Sequence, residues 1–128
     1  MNIILKGLGT AVPPMRVTQQ EAYDFFSSQF TLTPDEHDLY RRILLDGKIS
    51  GRYVGMDDTV EALETDPDRM VKRFLKFGRA CGAQAARRAL EEAGIKAADI
   101  TGLVVNTCTG YLCPGLSSFI AEDLGLST

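Results

Sequence analysis

GLVVNTCTGYLCPG, residues 102–115, decides how this chain is read. Leu103, Val104 and Val105 form a short apolar run, which predicts a buried strand. Asn106-Thr107-Cys108-Thr109-Gly110 then brings amide, hydroxyl and thiol side chains together in a loop, and Pro114-Gly115 turns the chain. A helix is expected over Leu116 to Leu124, stopping before Gly125. Strand, polar loop and helix in that order mark an α/β domain. In open α/β sheets ligands bind beyond the carboxyl ends of the strands, so the loop is a candidate pocket wall. The plainer reading is a strand-to-helix loop whose polar residues only cap and turn the chain.

Upstream, the clearest element is a long helix from Asp66-Pro67-Asp68 to about Ala93, before Gly94. Met70, Phe74, Phe77, Cys81 and Ala85 recur on one stripe at steps of three or four. Small residues dominate its middle, Gly78-Arg79-Ala80-Cys81-Gly82-Ala83. Each internal glycine costs about 1 kcal/mol relative to alanine, so close packing must offset them. Earlier still, Thr18 with Glu21 forms a capping box for a helix carrying Ala22, Phe25, Phe26 and Phe30. Thr33 caps a second helix that begins at Pro34, with Asp35 and Glu36 on its positive end and Gly47 as its stop. Residues 49–64 are expected to be extended and looped, with a short helix near Val60 and Leu63. Residues 2–13 are expected to start as a strand ended by Pro13-Pro14. Two strong strands fall short of the roughly five or six of a typical sheet. Thr128 also falls where a further strand is expected. The expected fold is therefore α/β but incomplete.

Composition narrows the function. The chain has 128 residues, 14 basic against 17 acidic, for a formal net charge of -3. That balance argues against nucleic acid and against a polybasic membrane patch. No apolar run reaches the roughly 20 residues of a membrane span, and the start at Met1 lacks a signal-peptide pattern, so a cytoplasmic location is expected. Three cysteines, Cys81, Cys108 and Cys113, and one histidine, His37, are too few for a disulfide framework or a zinc site. His37, beside Glu36 and Asp38 in the first turn of its helix, is expected to be exposed and has no assigned role.

Several stretches carry a family likeness. Gly7-Leu8-Gly9-Thr10-Ala11-Val12-Pro13-Pro14 resembles the opening strand of the thiolase superfamily. Gly51-Arg52-Tyr53 resembles a step found in type III polyketide synthases. The run from Ala83 to Gly94 and the following Ile100 to Val105 resemble a helix and second strand of that family. Asn106 to Gly115, with Leu116 to Leu126, closely resembles chalcone synthase-like proteins, especially bacterial ones. The resemblance covers the whole chain and identifies residues 1–128 as the amino-terminal part of such a thiolase-like domain, incomplete at the carboxyl end. It implies a five-layered α/β/α/β/α fold in the full protein, a homodimer, and decarboxylative condensation of acyl-CoA starters with malonyl-CoA. CoA thioesters are substrates, and no cofactor or metal is implied.

The same resemblance places the family's cysteine, histidine and asparagine downstream, so no catalytic residue is assigned and the chain is expected to be inactive alone. It puts Cys108 and Thr109 on the substrate-pocket wall. Cys113 falls where a residue reaches across the dimer into the partner's cavity; read as a residue type alone, it is a small buried hydrophobe. Arg42 matches an arginine that holds CoA phosphates. Two neighbouring positions, lysine in the plant enzymes, are Leu39 and Asp46 here, which breaks the pattern. Arg41 and Lys48 are candidate substitutes, and a solvated helix face is the alternative for all three basic residues. Two other functions stay open: a β-ketoacyl-carrier-protein synthase III-like enzyme, and a non-catalytic binding module with half a thiolase fold.

Overall fold

The computed structural model describes residues 2–126. The readings of Met1 and Thr128 lie outside the described residues. The chain falls into two compact units, Pro14–Val54 and residues 2–13 with 55–126.

The smaller unit contains β1 (Met15–Thr18), α1 (Gln19–Gln29), α2 (Pro34–Leu44) and β2 (Gly51–Val54). β1 and β2 pair antiparallel, with Met15 opposite Val54 and Thr18 opposite Gly51. This two-stranded ribbon is the sheet found among the described residues, part of a mixed helix-and-sheet fold. Both helices start where local chemistry says they must. Thr18 accepts from the Glu21 amide, and the Glu21 carboxylate accepts from the Thr18 amide at 2.7 Å. Thr33 and Glu36 repeat the arrangement at the start of α2. These amide bonds hold the Glu21 and Glu36 carboxyls below the usual carboxylate range. Gly47 does not end α2; Leu45 caps it in ordinary right-handed geometry. Phe26 stacks on Phe30 and on Tyr40, joining α1 to α2.

The larger unit is organised by α3 (Pro67–Ala93), after a 3-10 turn at Thr59–Leu63. Asp66 caps α3 by accepting from the amides of Asp68 and Arg69, and Gly94 closes it at φ 65°. α4 (Leu116–Leu124) ends on Gly125 in the same left-handed conformation. Gly78 and Gly82 let α4 lie close: Leu116 sits over the first and Ile120 over the second. Among the described residues, the buried hydrophobic core is Phe77, Ala83 and Ile120.

Two expected strands are absent from this unit. Residues 2–13 are extended but belong to no ladder. They lie instead on α3, where Gly7 abuts the backbone of Ala89 and Gly9 that of Ala85, so a side chain at either position would meet main chain. Side chains of α3 hold the segment: Glu92 accepts from the Leu8 amide at 2.6 Å, and Arg88 donates to the Thr10 carbonyl at 2.6 Å. The second absent strand is Leu103–Val105. Leu103 and Val105 are half-buried, but Val104 is 94% exposed. A strand is defined by its partner, and among the described residues neither segment has one to hydrogen-bond.

Candidate functional site

The loop at residues 106–115 is held in place by the helix on its carboxyl side. α4 begins at Leu116, directly after Gly115, and is fastened to α3. Arg79 Nε donates to Asp123 Oδ2 at 2.8 Å and its Nη2 to Oδ1 at 2.7 Å, a two-pronged pair. Nη2 also reaches Glu122 at 3.1 Å, and the guanidinium lies 5.4 Å from the Phe119 ring centre. Arg87 donates to the Asp123 carbonyl at 2.7 Å. The Arg79 hydrogen bonds hold the Asp123 carboxyl below its ordinary range, helped by the charges of Arg79 and Arg87. Asp123 in turn raises the Arg79 guanidinium further above its already high value.

Below the loop an apolar groove of about 610 Å³ runs along α3, lined by Met70, Phe74, Phe77 and Cys81, with Thr109 and Gly110 on the loop side. The stripe that the sequence marks at helical spacing is thus largely a groove wall, and of its members only Phe77 is buried. A smaller cavity of about 230 Å³ lies on the other side, between Val105, Thr107, Leu112 and Leu116. Gly110, at φ 77°, packs against the ring of Phe74 between them.

The three loop residues singled out from the sequence separate here. Thr109 lines the larger groove, whereas Cys108 and Cys113 are exposed and line neither cavity. The reading of Cys113 as a buried small hydrophobe is therefore corrected: it precedes a cis peptide bond to Pro114 and faces outward. Cys81, which sequence reasoning placed only in the helix stripe, shares the groove with Thr109. Burial pushes its thiol up, away from the thiolate a nucleophile requires. Phe74 was also legible only as a stripe member, because helical spacing cannot distinguish a groove wall from a core.

In the smaller unit, Arg42 shares a shallow depression of about 370 Å³ with Arg41, Asp38 and Asp46. Two arginines and two aspartates thus line it, and Lys48 takes no part in the lining. His37 is half-buried rather than exposed: its Nδ1 lies 3.2 Å from the Tyr23 hydroxyl, because α1 packs against α2 at this turn. Among the described residues no group of three His, Cys, Asp or Glu side chains is placed to hold a metal, and no helix is long and apolar enough to cross a membrane. The larger unit thus offers an apolar groove with one hydroxyl on its rim, suited to holding an apolar chain. All three cysteines are free thiols, Cys81 half-buried and Cys108 and Cys113 exposed.

The chain shares part of the thiolase fold of its structural neighbours. The homologues are type III polyketide synthases of the chalcone and stilbene synthase kind. Bisdemethoxycurcumin synthase of Oryza sativa subsp. japonica is 33% identical over 132 residues, covering 93% of this chain and 32% of that protein. Phloroglucinol synthase of Pseudomonas fluorescens is 27% identical over 116 residues, covering 91% of this chain and 33% of its own. Among solved structures, a type III pentaketide synthase from Neurospora crassa superposes with a TM-score of 0.83 at 28% identity, over 96% of this chain and 33% of that one. No family model matches the chain. The chain spans about a third of the length of the curated relatives it matches.

Proposed function

We propose that this chain is the amino-terminal part of an acyltransferase of the type III polyketide synthase kind, incomplete at its carboxyl end. The whole enzyme condenses acyl-CoA starters with malonyl-CoA by decarboxylative Claisen chemistry, as a cytoplasmic homodimer that needs no cofactor beyond its CoA thioesters. The observation that carries this reading is the coverage. The likeness runs over 96% of this chain at a TM-score of 0.83, yet occupies 33% of the solved enzyme.

In this reading Thr109 lines the acyl cavity, and Cys108, exposed beside it, is not part of the groove lining. The outward position of Cys113 supports a role across the dimer, since a residue that enters a partner's cavity must be exposed in a single protomer. Arg42 holds CoA phosphates, with Arg41 adjoining it in the same depression. The chain by itself is catalytically silent, because the cysteine, histidine and asparagine that the family resemblance implies lie beyond the stretch it matches. Incubation with hexanoyl-CoA and radiolabelled malonyl-CoA is expected to give no extended product. Reproducible turnover that Cys108→Ala abolishes would refute the assignment.

A further inference from the structure

We infer that Phe74 is a specificity-determining residue, the partition that sets how long an acyl chain the groove accepts. The inference rests on the acyl-CoA reading above and adds to it a residue that the loop motif does not contain. Its basis is the arrangement of the two cavities. The larger, about 610 Å³, and the smaller, about 230 Å³, have only two lining residues in common, Phe74 and Gly110. Gly110 contributes no side chain, and the edge of the Phe74 ring packs directly on it. The other edge of the ring faces Gly78, where a side-chain carbon would lie 3.7 Å from Cε2. One half-buried ring between two glycines therefore closes the passage from the groove to the space under Leu112 and Leu116.

The occupant is set by the lining. Met70, Phe74 and Phe77 offer apolar surface, and the Thr109 hydroxyl stands at the loop side. Arg73 also lines the groove, but its guanidinium is already engaged: it donates to the Glu61 carbonyl and lies 3.7 Å from the Glu61 carboxylate. An unbranched acyl chain fits such a lining, and a charged or sugar-like ligand does not. Truncating Phe74 joins the two spaces end to end and lengthens the path. Leucine at this position, lacking the flat ring, opens it in part.

The test uses the 128-residue chain, Phe74→Ala and Phe74→Leu, each titrated calorimetrically with two probe series. One series is hexanoyl-, octanoyl-, decanoyl- and dodecanoyl-CoA, and the other is the corresponding free alkanoic acids. Each further methylene taken into the cavity strengthens binding up to about fourfold, so two further methylenes give up to about fifteenfold. The expected result is a tightest-bound chain at least two carbons longer in Phe74→Ala than in the unaltered chain, with Phe74→Leu between them. If Phe74→Ala loses its helical signal, Phe74→Leu carries the same comparison. An unchanged length preference in a folded variant overturns the inference, whatever happens to stability, because a purely structural ring changes melting and not chain-length order. Failure of the unaltered chain to bind either series overturns it as well. A shift seen with the alkanoic acids, with the CoA thioesters binding no tighter than the acids, upholds the partition and removes the CoA reading.

Discussion

Gly78 and Gly82 lie one turn apart on α3, both under α4, and the structure predicts opposite signs for the same substitution. A methyl group at Gly78 would lie 3.5 Å from Leu116 Cδ2, an ordinary contact. Nothing must move, so Gly78→Ala gains the helix-propensity difference of about 1 kcal/mol. At Gly82 the added carbon would lie 2.5 Å from Ile120 Cδ1 and 3.2 Å from its Cγ1. Ile120 is 3% exposed, so it has little room to swing aside. Overpacking of this kind costs about 1–3 kcal/mol, which equals or exceeds the same propensity gain. Gly82→Ala should therefore be neutral to destabilising by about 2 kcal/mol, and the two variants should differ by about 1–3 kcal/mol. Urea unfolding at low protein concentration, followed by the helical circular dichroism signal, measures both on one scale. In thermal unfolding the gap corresponds to roughly 3–5 °C per kcal/mol for a chain of this size. Gly82→Ala as stabilising as Gly78→Ala would refute the close approach of α4 to α3.

Three further outcomes are expected. The folded Asp123 carboxyl is held below its ordinary value of 3.8, so its contribution is complete above that value and is lost as pH falls through the lower folded one. The stability advantage over Asp123→Asn should be full at about pH 6 and be lost only on acidification below the ordinary value of 3.8, and an advantage independent of pH would refute the pairing with Arg79. In iodoacetamide labelling followed by mass spectrometry, exposed Cys108 and Cys113 should react before Cys81, whose thiol is pushed up by burial; equal rates would contradict this. The isolated chain should bind a hydrophobic dye and self-associate in light scattering, since Ile3 is 90% exposed, Leu5 80% and Val104 94%. A monodisperse monomer that binds no dye and unfolds cooperatively would count against the reading as part of a larger fold.

Helix boundaries were written in the sequence because their causes are local. Thr18 with Glu21, Thr33 before Pro34, Asp66 before Pro67, Gly94 and Gly125 each act within a turn of the residues they cap, and each appears where the spacing placed it. The likeness of the loop at residues 102–115 to one family was also legible, since a run of residue types survives without knowledge of its neighbours. Strands were not legible in this way. Leu103–Val105 and residues 2–13 have strand-like composition, but a ladder needs a second backbone at hydrogen-bonding distance, and none lies beside them among the described residues. Conversely, Met15–Thr18 is a strand only because Gly51–Val54 returns to it from the far side of two helices. Gly47 looked like a helix stop, yet α2 had already ended on Leu45.

The site divides along the same line. The family resemblance singled out Cys108, Thr109 and Cys113, which are near neighbours in one loop. The fold turned Thr109 toward the groove and the two thiols outward. Cys81 and Phe74 join Thr109 from α3, about thirty residues upstream, through the packing of the loop on that helix. Capping is decided over one turn of chain, so residue order suffices to read it. A ladder or a cavity wall is decided by which backbones and side chains meet across space, and that only tertiary packing settles.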